Sequence, residues 1–224
     1  MTMKKIFLSI IMAAGICSIA SAQSPDIKDW ARSDRFATAN QAVTQKPVAV
    51  FMGDSITEGW FREDEAFFTS HNYQGRGISG QTTCQMLIRF RPDVINLHPK
   101  YVVILAGTND IAENIGPVDL QTSLNNIISM CQLAKANKIK PIICSVTPCH
   151  RFGWRPEIIP TQKVVDFNEM LKAYAASAKI TYVDYHSALK AEDNSFPAKY
   201  TKDGCHPTID GYKIMEDIIV KYLK

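Results

Sequence analysis

Four short segments carry residue types that could do chemistry together. They are Gly53-Asp54-Ser55-Ile56-Thr57, Gly77-Ile78-Ser79-Gly80-Gln81-Thr82, Gly107-Thr108-Asn109-Asp110 and Asp203-Gly204-Cys205-His206-Pro207. Between them they supply flexible backbone, a hydroxyl, an amide, a carboxylate and an imidazole. That inventory matches a serine nucleophile with its base, an orienting acid and an oxyanion site. Ser55 is the candidate nucleophile, with Gly53 allowing a sharp backbone turn before it. A serine hydroxyl is a weak nucleophile and needs a base within hydrogen-bond reach. His206 is the candidate base, because an imidazole changes charge near neutral pH. Asp203 precedes His206 closely enough for one turn to present the two side chains to each other, and Asp184 is the rival acid. The backbone N–H groups of Ser55 and Gly80 and the side-chain amide of Asn109 are the candidate oxyanion donors. Asp54 and Asp110 read as braces for their loops, and His71, His98, His150 and His186 as surface or loop histidines. Each segment alone reads as a turn. Their order, each after a strand or before a helix, is what joins them.

The elements that must position these segments follow from periodicity. Short apolar runs at Val48–Met52, Tyr73–Ile78, Tyr101–Ala106, Pro141–Val146 and Ile180–Tyr185 read as strands covered on both faces. Between them, Leu120, Leu124, Ile127, Ile128, Cys131 and Ala134 follow one helix face. Val164, Phe167, Leu171 and Tyr174 do the same, as do Tyr212, Met215, Ile219 and Tyr222. Gln81–Leu97 is expected to be helical as far as Pro92, and an N-terminal helix is expected over Ile27–Ala42. Alternating strands and helices predict a parallel α/β sheet, whose sites lie beyond the carboxyl ends of the strands.

At this point the chain resembles the SGNH hydrolases, also called the GDSL esterase/lipase family. The resemblance runs from Val48 to the last helix. Gly53-Asp54-Ser55 with Ile56 matches the first motif of that family, with Ile56 in place of the usual Leu. Gly80, the Gly107-Thr108-Asn109-Asp110 block and the Asp203-Gly204-Cys205-His206 block match the others. The resemblance implies a three-layer α/β/α sandwich around a five-stranded parallel, flavodoxin-like sheet. It also implies ester hydrolysis through an acyl-enzyme on Ser55. No cofactor is expected, because the sequence has no Gly-rich phosphate loop before a helix and no metal-ligand spacing. Thr57 stands where the elbow of ordinary α/β-hydrolases has its second glycine.

Residues 1–22 read as a secretory signal. Lys4 and Lys5 precede the apolar run Ile6–Ala14, and Ala20-Ser21-Ala22 offers a small-x-small cleavage site. The expected organisation is therefore a signal peptide over 1–22 and one domain over 23–224, secreted or periplasmic, with no stable membrane insertion once the signal is gone. A composition of 46% apolar and 21% charged residues argues against disorder, and a net charge of +3 argues against a nucleic-acid partner. No Cys/His spacing suggests a metal. Cys131 and Cys144 are expected to be buried thiols, while Cys149 and Cys205 lie in loops that could converge. Trp60, Trp154 and Arg155 are candidate substrate-binding residues at the mouth of the site. Without a long apolar lid segment, the expected partner is a small or glycan ester, in particular an acetylated carbohydrate. A lysophospholipase or thioesterase of the same fold is the alternative. A silent carbohydrate-binding module and an Asp54 phosphoacceptor are readings from other classes.

Overall fold

The structure, a computed structural model, describes residues 30–224. The signal-peptide assignment and the start of the 23–224 domain lie outside the described residues. The elements run α1 (Ala37–Gln41), β1 (Ala49–Gly53), α2 (Ser55–Glu63), α3 (Glu65–Ser70), β2 (Tyr73–Gly77) and α4 (Thr83–Asp93). There follow β3 (Tyr101–Leu105), α5 (Thr108–Ile111), α6 (Leu120–Ala136), β4 (Lys140–Cys144), α7 (Thr161–Ser177), β5 (Thr181–Val183), α8 (Tyr185–Leu189) and α9 (Ile209–Ile219). The five strands are all parallel, in the order β2-β1-β3-β4-β5. The fold is the expected three-layer α/β sandwich.

Side-chain alternation divides the core between two layers. Val50, Met52, Val102, Ile104 and Ile143 join the cluster beneath α4, α6 and α7. Ala49, Phe51, Val103, Leu105, Ile142 and Cys144 join the cluster beneath α2, α3, α8 and α9. Both faces of each central strand are therefore dry, which is why these runs are continuously apolar. The strand β2 differs: it carries Gln74 and Arg76 and lies at the sheet edge. The helix faces fall as the spacing predicts, with Leu124, Ile127, Cys131 and Ala134 buried on α6 and Val164, Phe167 and Leu171 on α7. On α9, Tyr212, Met215 and Ile219 are buried, whereas Tyr222 lies past its end and is exposed.

The strand β5 ends at Val183, so that Tyr185, expected at its end, opens α8 instead, and two helix boundaries also differ from expectation. The helix α4 runs one residue beyond Pro92. The N-terminal helix is not continuous, because a turn occupies residues 32–36 with Arg32 left-handed at φ 50°. The carbonyls of Trp30 and Ala31 accept from the side-chain amides of Gln85 (2.9 Å) and Gln81 (2.6 Å). Those tertiary bonds replace the next turn of the helix and tether the segment beside α4.

Candidate active site

Ser55 is the first residue of α2, directly beyond the carboxyl end of β1. Asp54 caps this helix, its Oδ1 accepting from the backbone N–H of Ile56 at 2.9 Å. Gly53 is required by space rather than by an unusual φ. A Cβ there would lie 2.1 Å from Thr57 Oγ1 and 2.8 Å from the carbonyl oxygen of Leu105. Close packing of α2 against β1 and β3 thus fixes where the hydroxyl emerges.

His206 arrives from the loop before α9. Its Nε2 lies 2.9 Å from Ser55 Oγ, and its Nδ1 lies 2.6 Å from Asp203 Oδ2. The other Asp203 oxygen accepts from the backbone N–H groups of His206 (2.8 Å) and Cys205 (2.9 Å) and from the Thr201 hydroxyl (3.2 Å). Partial burial works against the charge of Asp203, but the bonds from His206 and Cys205 outweigh it and hold the carboxyl down to about 2. The carboxylate therefore stays ionised and fixes the imidazole tautomer, with the Nδ1 proton toward Asp203 and Nε2 free to accept.

Ser55, Ser79, Gly80, Asn109, Asn114, Trp154 and His206 line one cavity of about 350 Å³. Gly80 sits at φ 80°, a conformation that favours glycine. Glu58 secures the preceding residue, accepting from both the backbone N–H (2.8 Å) and the hydroxyl of Ser79. Burial opposes the charge of Glu58, yet the two Ser79 bonds and nearby arginines lower its pKa. The amide of Asn109 donates to the carbonyl of Gln81 at 3.1 Å, and its Oδ1 accepts from Asn114 Nδ2 at 2.8 Å. The second N–H of Asn109 has no partner among the described residues, and Asn109 lines the cavity. Buried Arg89 ties the surrounding segments together, with bonds to Gln81 Oε1 (2.5 Å), the Gly53 carbonyl (3.0 Å) and Asp93 (2.9 Å). Such an arrangement can pass a proton from hydroxyl to imidazole while N–H donors face an oxygen that gains charge, which is what acyl transfer needs.

Five of the expected residues meet here: Ser55, Gly80, Asn109, Asp203 and His206. Trp154 lines the cavity as expected, its ring centroid 5.9 Å from that of His206. Trp60 does not. It is 1% exposed, stacked between Phe67 and Tyr212, with its indole N–H donating to Glu216 at 3.0 Å. Arg155 also stays out of the lining, bonding instead to the Glu113 carbonyl (3.3 Å) and facing Glu157 (3.7 Å). Asp184 is occupied in capping α8 through Ser187. Asp110 braces its loop, accepting from Thr83 and Ser123. His186 is buried rather than on the surface. Glu58, Ser79, Arg89 and Asn114 carry no local pattern that marks them in the sequence. Among the described residues, no group of three or more His, Cys, Asp or Glu could hold a metal, and no helix is long and apolar enough to cross a membrane.

Residues 51–214 match the GDSL-like lipase/acylhydrolase family. The structure resembles that of a GDSL-like lipase from Bacteroides thetaiotaomicron with a TM-score of 0.83 and 49% identity, over 87% of this chain and 98% of that one. The isoamyl acetate-hydrolysing esterase of Saccharomyces cerevisiae is 26% identical over 66% of this chain and 67% of its own. The lipoprotein YqeF of Bacillus subtilis is 37% identical over 75 residues, a match that spans 32% of this chain and 31% of that protein.

Proposed function

We propose a serine-esterase mechanism for this chain, which belongs to the GDSL-like lipase/acylhydrolase family and is a carboxylic ester hydrolase. The observation that carries the mechanism is the unbroken line from Ser55 Oγ through His206 to Asp203, at 2.9 and 2.6 Å. Ser55 Oγ attacks the ester carbonyl carbon while its proton passes to His206 Nε2. Asp203 holds the imidazolium that forms. The carbonyl oxygen, now an alkoxide, is received by the N–H groups of Ser55 and Gly80 and by the Asn109 amide. Collapse breaks the bond to the leaving alcohol, whose oxygen takes the proton back from His206 and leaves an acyl group on Ser55. Water then repeats the sequence, releases the acid and restores the hydroxyl.

The substrate is a short-chain ester, with acetyl groups on carbohydrates as the preferred class. Three observations support this: a cavity of only about 350 Å³, a lining of Ser79, Asn109 and Asn114 with one aromatic wall, Trp154, and a relative named for hydrolysing an acetate ester. The same reading has residues 1–22 removed on export and residues 23–224 acting as one domain in the periplasm or outside the cell. Labelling with a fluorophosphonate followed by peptide mass spectrometry should mark Ser55 alone. On p-nitrophenyl esters, kcat/KM should fall steeply from acetyl to octanoyl, and acetylated glycans should outperform lysophospholipids. A preference for the longer chain would contradict the substrate assignment, and an unlabelled Ser55 would contradict the mechanism.

A further inference from the structure

Asn114 joins two of the proposed oxyanion donors. Its Nδ2 donates to Oδ1 of Asn109 at 2.8 Å and to the carbonyl of Gly80 at 3.2 Å. Its Oδ1 accepts from the indole N–H of Trp154 at 2.9 Å. Asn114 itself is anchored to the Asn109 turn by a backbone bond, its N–H donating to the Asn109 carbonyl at 3.1 Å.

Both ends of this chain have fixed polarity. The carbonyl of Gln81 can only accept, so the Asn109 atom facing it at 3.1 Å must be nitrogen. The indole N–H of Trp154 can only donate, so the Asn114 atom facing it must be oxygen. The two amides between them then have one consistent orientation each. In that orientation Asn109 keeps one amide N–H without a partner among the described residues, at the cavity it lines. A flipped Asn109 would aim a lone pair at the developing alkoxide and repel it.

We infer that Asn114 is a positioning residue that locks the Asn109 amide in its donating orientation and clamps it to the Gly80 turn. Trp154 completes the lock from the far loop. The inference rests on the serine-esterase reading above, because it concerns the oxyanion donors that reading names.

The test is a double-mutant cycle on p-nitrophenyl acetate, with thermal melting of each protein. Removing a true oxyanion donor lowers kcat by about 10²–10³-fold, the range expected of Asn109→Ala. Asn114→Ala leaves the donor present but unlocked, so the expected loss in kcat is smaller, about tenfold, with KM unchanged. In the Asn109→Ala background, Asn114→Ala should cost nothing further, since no amide remains to orient. Asn114→Asp keeps the shape but lacks the N–H donors, and should lose as much kcat as Asn114→Ala while melting normally. An Asn114→Asp protein with wild-type kcat, or a full Asn114→Ala effect in the Asn109→Ala background, would overturn the inference and leave the esterase reading intact. Wild-type kcat in Asn109→Ala would instead remove Asn109 from the oxyanion site and the inference with it.

Discussion

Two aspartates near the reacting atoms sit in opposite surroundings, and the difference has a measurable sign. Asp203 is half-exposed and collects hydrogen bonds that favour its charge, which holds it at about 2. Asp54 is fully buried; its Oδ1 caps α2, but its Oδ2 has no hydrogen-bond partner. Burial pushes Asp54 up from 3.8 to about 6, against the pull of the Ile56 N–H and the nearby His206. A folded pKa above the unfolded one means that the stability linked to this group is fully present below about pH 3.8 and lost as pH rises through about 6. The change from 3.8 to about 6 corresponds to about 3 kcal/mol. Asp54→Asn removes the titration. In urea unfolding between pH 4 and 8 the variant should gain on the wild type as pH rises, by up to ~3 kcal/mol; parallel curves would mean that Asp54 carries no such strain. At this scale much of the site was legible. Ser55, Gly80, Asn109, Asp203 and His206 each lie in a short block whose residue types announce their chemistry. Asn114, Glu58 and Arg89 were not legible, because each makes contacts distant in the chain: Asn114 with Gly80 and Trp154, Glu58 with Ser79 and Arg89 with Gly53.

Among elements, α2 shows why an aromatic next to the proposed nucleophile misleads. Ser55 and Trp60 share this helix, but opposite faces of it meet the cavity and the core. Trp60 packs with Phe51, Phe67, Phe68, Tyr185 and Tyr212. Sequence spacing places Trp60 near Ser55 but does not say which way it points. Trp60→Ala should therefore lower unfolding free energy by ~3–5 kcal/mol in denaturant titrations. Trp60→Phe should melt lower than the wild type through loss of the Glu216 bond, with kcat/KM of the folded enzyme unchanged. A large fall in kcat/KM with an unchanged melting temperature would return Trp60 to the substrate. The strands were legible chiefly because the three inner ones, β1, β3 and β4, are apolar on both faces. The N-terminal helix was misjudged because Gln81 and Gln85, far along the chain, claim its carbonyls.

At the scale of the molecule, the proposed site lies at one end of the sheet, and four of the five cysteines among the described residues lie inside. Cys84, Cys131, Cys144, Cys149 and Cys205 are free, and all but Cys84 are buried. Burial pushes Cys131 and Cys144 up to about 12, and a hydrogen bond that the Cys205 thiol donates to Cys149, together with burial, raises Cys205 well above its usual value. Thiols held in this way are unreactive. Of these five, brief treatment of the native protein with a thiol reagent should modify only Cys84, and reductant should leave the melting temperature unchanged; a drop on reduction would mean that Cys149 and Cys205 are bridged. The sequence could say only that these two loops might meet. Their meeting depends on a backbone bond, from the His150 N–H to the Gly204 carbonyl at 3.1 Å, that no local pattern encodes. The chain has three tryptophans, and they are unequally placed: Trp30 is partly buried, Trp60 lies in the interior, and Trp154 is 42% exposed with its ring beside His206. Because Trp154 lines the cavity, its emission should change when an acyl group fills that space, so that occupancy of the proposed site could be followed by fluorimetry with no dye attached.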